Sequence, residues 1–141
     1  MSASSTPGHA ALAYLEQDIR TADPIALVAR VFEVAVVHVA RARTALASRQ
    51  MAAKGLSVQR VVRCLPLLQA SLDTERGGEV ASNMDRLYAY LLRRLSEGHR
   101  RNDDAAFAEV ATHLAELGSA WREAASRGRA TAASPEVTAT R

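Results

Sequence analysis

Leu72-Asp73-Thr74-Glu75-Arg76-Gly77-Gly78-Glu79-Val80-Ala81-Ser82-Asn83-Met84-Asp85-Arg86-Leu87-Tyr88-Ala89-Tyr90 sets two adjacent glycines ahead of a helical apolar period. Glycine weakens a helix interior and is common at helix ends, so Gly77-Gly78 predicts a break. Beyond it, Val80, Met84, Leu87, Tyr88, Leu91 and Leu95 recur at spacings of three and four. That spacing places them on one face of a helix running from about Gly78 to His99 or Arg100. No ligand cluster, phosphate loop or nucleophile accompanies the stretch. It reads as a corner in an all-helical bundle.

The flanking sequence repeats the pattern. Asp23-Pro24 is a sharp helix start, because Asp caps well and Pro is preset for a first turn. The helix after it should reach about Arg49, with Val28, Val31/Phe32, Ala35, Val39, Ala42 and Leu46 as its main stripe. A second stripe, Leu27, Val31, Val34 and His38, lies beside the first, so this helix has apolar surface left over after facing one neighbour. Lys54-Gly55 predicts the next corner, with Ser57 as cap and Leu56 and Val61 as a hydrophobic staple. Val58, Val61/Val62, Leu65, Leu68 and Leu72 follow, interrupted by Pro66, which removes one helical hydrogen bond and predicts a kink near Val62 to Leu65. Asn102-Asp103-Asp104 caps a last helix to about Ser126, striped by Phe107, Val110, Leu114, Leu117, Trp121 and Ala124.

The ends differ. Residues 1–10 are small and polar and are expected to be disordered, and Ala11 to about Arg20 forms a short helix through Leu12, Leu15 and Ile19. Residues 127–141 have no apolar period and are expected to be a disordered tail. The organisation is therefore one helical domain over residues 11–126 between two tails. Short loops make successive helices antiparallel neighbours, so the expected fold is an all-α, antiparallel up-down four-helix bundle with a short extra N-terminal helix.

Composition agrees. A chain of 141 residues is one domain, and 4% aromatic content points to a core of aliphatic side chains. The single cysteine, Cys64, excludes an intramolecular disulfide and fits a reducing cytoplasm. Among Val61, Val62 and Leu65 it reads as a small buried hydrophobe. No run approaches the ~18 apolar residues of a membrane span, and the N-terminus has no secretory pattern. The tail after Ser126 holds Arg127, Arg129 and Arg141 against Glu136 alone, which takes most of the +3 net charge. Along the helices, basic and acidic residues alternate as on a solvated surface, which argues against a nucleic-acid binder.

Catalytic patterns are missing. His9, His38, His99 and His113 are far apart, and none has a metal-ligand partner at working spacing. Neither a bound metal nor a cofactor is expected, and the chain does not read as an enzyme. Histidine-phosphotransfer bundles carry Lys and Gly three and four residues after their histidine. His38 has Arg41 and Ala42 there, a partial match only. Tyr88 falls on the core stripe with its hydroxyl expected at the rim, whereas Tyr90 points elsewhere and is a candidate contact.

These residues also carry a resemblance. Tyr14 … Ile19-Arg20-Thr21-Ala22-Asp23-Pro24 … Leu27-Val28 … Val31-Phe32-Glu33 resembles the N-terminal signature of the flagellar secretion chaperones, the FliS family. Leu72-Asp73 … Glu75 … Gly77-Gly78-Glu79 … Ala81 … Asn83-Met84 … Leu87-Tyr88 … Tyr90 resembles the family's second block, and Arg93-Arg94-Leu95 … Asp103 … Glu109-Val110 … Trp121 its third. The likeness spans about Tyr14 to Ala125. Departures are Val31-Phe32 for a Leu-Tyr pair, Gly98-His99 for an Ala-Asn pair, and Pro66.

The resemblance implies a helical bundle in the bacterial cytoplasm that binds flagellin. It covers flagellin's disordered C-terminal segment, prevents premature polymerisation and keeps the subunit fit for type III export. Export-apparatus components are further candidate partners; nucleic acid and membrane insertion are not. The client-binding residues expected on this basis are Tyr14, Ile19, Leu27, Val31, Val34, His38, Asn83, Leu87 and Tyr90, with the Tyr14 segment as a lid. The spare stripe Leu27, Val31, Val34 and His38 suits a groove for an amphipathic guest. Ordering such a guest costs about 2–5 kcal/mol, which an extended apolar surface can offset. Two alternatives use the same features: a homodimeric interaction bundle, including a diverged paralogue with another client, and a phosphotransfer protein working through His38.

Overall fold

The computed structural model describes residues 24–72 and 74–133, and every element in them is a helix: α1 (Pro24–Ala47), α2 (Met51–Ala70), α3 (Thr74–Arg101) and α4 (Asp104–Ala133). The short helix expected before Pro24 lies outside the described residues. α4 continues past Ser126, where the sequence pattern loses its apolar period, to Ala133.

Backbone hydrogen bonding explains where the helices stop. At the end of α1 the Gln50 N–H donates to the Ala45 carbonyl at 2.8 Å and the Arg49 N–H to the Leu46 carbonyl at 3.1 Å. Arg49 sits at φ 61°. This is the helix closure usually made by glycine. In an arginine it costs about 1–3 kcal/mol, and the two recovered carbonyls offset part of that. The corner consequently falls at 48–50, and α2 starts at Met51 behind Gln50, which makes no side-chain cap. The start expected at Ser57 is corrected by this geometry. Ser57 is buried within α2, and Leu56, expected to staple the turn, is 49% exposed. The glycine at position 55 does not end a helix; it lies where α2 passes the His99 ring of α3.

α3 ends by the same device. Asn102 sits at φ 52°, and the Asp103 N–H donates to the Gly98 carbonyl at 3.0 Å. Asp103 then caps α4 by accepting the Ala105 N–H at 3.0 Å. At the other end of α3 the helical path breaks at Gly78 (φ 54°, ψ −125°), the glycine the sequence singled out. The break resets the helical phase. Ala81 takes the inward place, and Val80, expected on the core face, is 71% exposed.

α1 packs against both α2 and α4, and α3 also packs against α2 and α4. This accounts for the double stripe of α1, since two neighbours need two stripes. Phe32 is fully buried at the centre, with the Tyr88 ring 6.4 Å away and the Trp121 ring 6.5 Å away. Val39, Val61, Leu65, Leu68, Leu91, Leu95, Phe107, Val110 and Leu114 complete the cluster. Each such side chain contributes about 1.5–3 kcal/mol by leaving water. Pro66 is exposed on a helix that runs through it to Ala70.

Candidate functional site

The residues expected to bind a client separate into three groups. Tyr14 and Ile19 lie outside the described residues. Leu27, Val31 and His38 are buried, and Val34 is half-buried against the core. As they stand, these four positions of α1 leave little free surface, in contrast to the groove expected of them. Asn83, Leu87 and Tyr90 follow one another along α3, at spacings of four and three. Asn83 is exposed and accepts a hydrogen bond from Arg86, while Leu87 and Tyr90 are half-buried against the core. The two helices meet chiefly through α2 and α4, so the α1 and α3 sets do not line one groove.

Tyr90 is tied into a polar network on the α3–α4 seam. Its hydroxyl donates to the Glu109 carboxylate, which also accepts from the Arg94 Nε at 2.6 Å. Arg94 further reaches Glu97 at 3.0 Å. The hydrogen bonds from Tyr90 and then Arg94 hold the Glu109 carboxyl below its usual range, and the bond to Glu109 raises the Tyr90 hydroxyl. Tyr88 differs from the expectation. It is buried, its hydroxyl finds no partner among the described residues instead of reaching the rim, and burial pushes its pKa to about 12. Buried Cys64 is likewise pushed up to about 12, as an inert thiol should be.

His38 does not suit phosphotransfer. It is 6% exposed, its Nδ1 has no hydrogen-bond partner among the described residues, and burial, then Arg41 and Arg60, lower its pKa. Among the described residues no group of three His, Cys, Asp or Glu side chains forms a metal site, and no helix is long and apolar enough to cross a membrane.

The open apolar surface lies elsewhere, between α2 and α3. Ala52, Gly55, Leu56, Val58, Gln59 and Val62 from α2 and Ser96 and His99 from α3 line a groove of about 670 Å³. Leu56 projects beside it, and Met51, at the start of α2, is 40% exposed. One end is fixed by Lys54, which is buried. Its ammonium donates to the His99 carbonyl at 2.9 Å and to Asn102 Oδ1, satisfying a free carbonyl in the last turn of α3. The sequence signal for this groove was Leu56 standing off the main stripe of α2. Assigning Leu56 to a staple hid it.

A helical bundle with an open apolar seam has the surface that a binding protein needs. The family model for the flagellar protein FliS matches residues 7–128. The chain is 35% identical over 107 residues to the flagellar secretion chaperone FliSB of Pseudomonas aeruginosa, covering 76% of this chain and 85% of that one. It is 34% identical over 110 residues to the flagellar secretion chaperone FliS of Salmonella typhimurium, covering 77% and 82%. The chain belongs to the FliS family, whose members are chaperones of flagellum assembly and export.

Proposed function

We propose that this chain binds the disordered C-terminal segment of a flagellin in the bacterial cytoplasm, prevents its premature polymerisation and holds it competent for type III export. It does so as a binding protein, without catalysis. The observation that carries the reading is family membership across almost the whole helical region. The open α2–α3 seam supports it, because a disordered guest gains stability by laying an apolar face into such a groove.

The bundle is read as antiparallel and up-down. Three cross-helix contacts support this order: Arg43 near the end of α1 with Asp104 at the start of α4, Lys54 near the start of α2 with the His99 carbonyl near the end of α3, and Gln69 near the end of α2 with Asp85 early in α3. The Tyr14 segment is proposed to act as a lid, and Ile19, Leu27, Val31, Val34, His38, Asn83, Leu87 and Tyr90 remain candidate contacts that a moving lid would uncover.

The test is titration of the full chain with the C-terminal segment of the same organism's flagellin, followed by calorimetry. Saturable binding, with filament growth suppressed in its presence, is expected. Absence of heat and of any effect on polymerisation would contradict the reading. Tyr14→Ala should leave thermal unfolding unchanged and alter client affinity; unchanged affinity counts against the lid.

A further inference from the structure

Charge separates by helix pair in this bundle. Residues 24–72, which form α1, α2 and their corner, carry seven Lys and Arg side chains against one carboxylate, Glu33. Residues 77–128 of α3 and α4 carry seven against eight. Charges on that second pair also neutralise one another: Arg94 holds Glu97 and Glu109, and Arg127 lies 3.5 Å from Glu123. On the α1–α2 side two of the seven are engaged within the fold. Lys54 turns inward to the His99 carbonyl, and Arg43 pairs with Asp104 of α4 at 2.9 Å. Arg30, Arg41, Arg49, Arg60 and Arg63 remain, and none of them forms an ion pair among the described residues.

Helix spacing gathers these arginines. Arg30, Val37, Arg41 and Thr44 are exposed and recur along α1 at seven, four and three, which keeps them on one outward stripe. Leu56, Arg60, Arg63 and Leu67 recur along α2 at four, three and four, Leu56 and Arg63 exposed and the other two half-buried. Arg41 and Arg60 both act on buried His38, so the two stripes lie side by side across the α1–α2 seam. Arg49, also exposed, stands at the corner that joins them. Like charges set together with no carboxylate between them weaken a fold, so packing does not account for this arrangement. Two apolar side chains stand out among the arginines: Val37 is 46% exposed and Leu56 49%.

We infer that the outer face of α1 and α2 docks on an anionic lipid surface, its five free arginines against lipid phosphates and Val37 and Leu56 entering the boundary with the acyl chains. Such docking lies on the membrane and needs no spanning helix. An anionic leaflet attracts basic clusters, and the attraction acts within about a Debye length. A nucleic acid would also meet the arginines, but its phosphate backbone offers nothing to Val37 and Leu56. A lipid boundary takes both kinds of side chain at once. No client takes part, so this docking stands or falls apart from the chaperone reading.

The full chain is mixed with vesicles of equal parts phosphatidylglycerol and phosphatidylcholine, or of phosphatidylcholine alone, and the bound protein is measured by sedimentation. Wild type binds the anionic vesicles and not the neutral ones, and high salt releases it. Each arginine near the surface is worth about fivefold, so Arg41→Glu/Arg63→Glu weakens binding by at least about twentyfold. Arg93→Glu/Arg122→Glu makes the same change in net charge at exposed positions of α3 and α4 and stays within about threefold of wild type. Val37→Ser weakens binding about threefold, because less apolar surface enters the boundary. Glu33→Gln, which removes the one opposing charge of the pair, strengthens it. Thermal unfolding shows that each variant is folded, and Arg41→Gln/Arg63→Gln replaces the charge reversal if that one is not. Wild type that ignores anionic vesicles at low salt overturns the docking. Equal losses in the two double variants overturn the assigned face, since net charge alone would then explain the attraction. A labelled DNA duplex is the last arm. Duplex binding that needs Arg41 and Arg63, is indifferent to Val37 and occurs without vesicle binding overturns the docking in favour of a nucleic acid.

Discussion

The α1–α4 seam and the α2–α3 seam are made from amphipathic helices of similar length, yet one is closed and the other open. In the closed seam large side chains meet glycine. A Cβ added at Gly118 would stand 3.0 Å from the Phe32 Cβ, so the helices approach closely and Phe32 fills the space between them. On the α3–α4 seam, a Cβ at Gly98 would stand 2.9 Å from two carbons of the Phe107 ring. In the open seam Gly55 faces only the edge of His99, at 3.8 Å, and no large side chain fills the gap. In this bundle the glycines at closed seams each face a bulky ring on the neighbouring helix. Where no such ring stands, the same apolar pattern leaves a groove.

This contrast sets the order of expected effects. Phe32→Ala should be the largest, lowering stability by about 3–5 kcal/mol in urea unfolding, because the lost ring leaves a cavity at the centre of the closed seam. Gly98→Ala should follow at about 1–3 kcal/mol, since the buried Phe107 ring has to move. Leu56→Ala on the open seam should cost less than about 1 kcal/mol, because half of that side chain is already in water. A Leu56→Ala loss as large as that of Phe32→Ala would erase the distinction between the seams.

The smallest effect concerns His38, buried on α1 and facing Arg60 of α2. Its folded-state pKa lies below the ordinary 6.5, through burial first and then Arg41 and Arg60. The unfolded chain therefore binds the proton more tightly than the folded one. Stability is full above 6.5 and declines as pH falls through that value towards the lower, folded pKa. The urea midpoint of wild type should fall more steeply on acidification than that of His38→Gln. His99, also lowered by burial and by Lys54, adds in the same direction. Parallel profiles for the two proteins would show that burial of His38 does not disfavour its protonation.

Much of this was legible in the chain. Pro24, the Gly77-Gly78 break and the Asn102-Asp103 corner each carry local chemistry that dictates a helix end, and the stripes of α1 and α4 predict their buried faces. What was not legible depended on backbone closure and on neighbours. Arg49 takes a conformation that sequence rules reserve for glycine or asparagine, so the first corner was misplaced and Leu56 was read as a staple. The double stripe of α1 looked like spare surface because a single helix does not reveal that two others flank it. Tyr88 was expected at the rim because tyrosine hydroxyls usually find partners; the approach of Phe32 from α1 and burial in the core cluster enclose it instead.

Amide hydrogen exchange, with and without the C-terminal segment of the same organism's flagellin, tests the central claim most directly. The account predicts that adding the segment slows exchange in α2 from about Ala52 to Arg63 and in α3 from about Arg93 to Arg101, with the α1–α4 seam unchanged. Slowing confined to α1, or none in α2 and α3 at saturating segment, would contradict it.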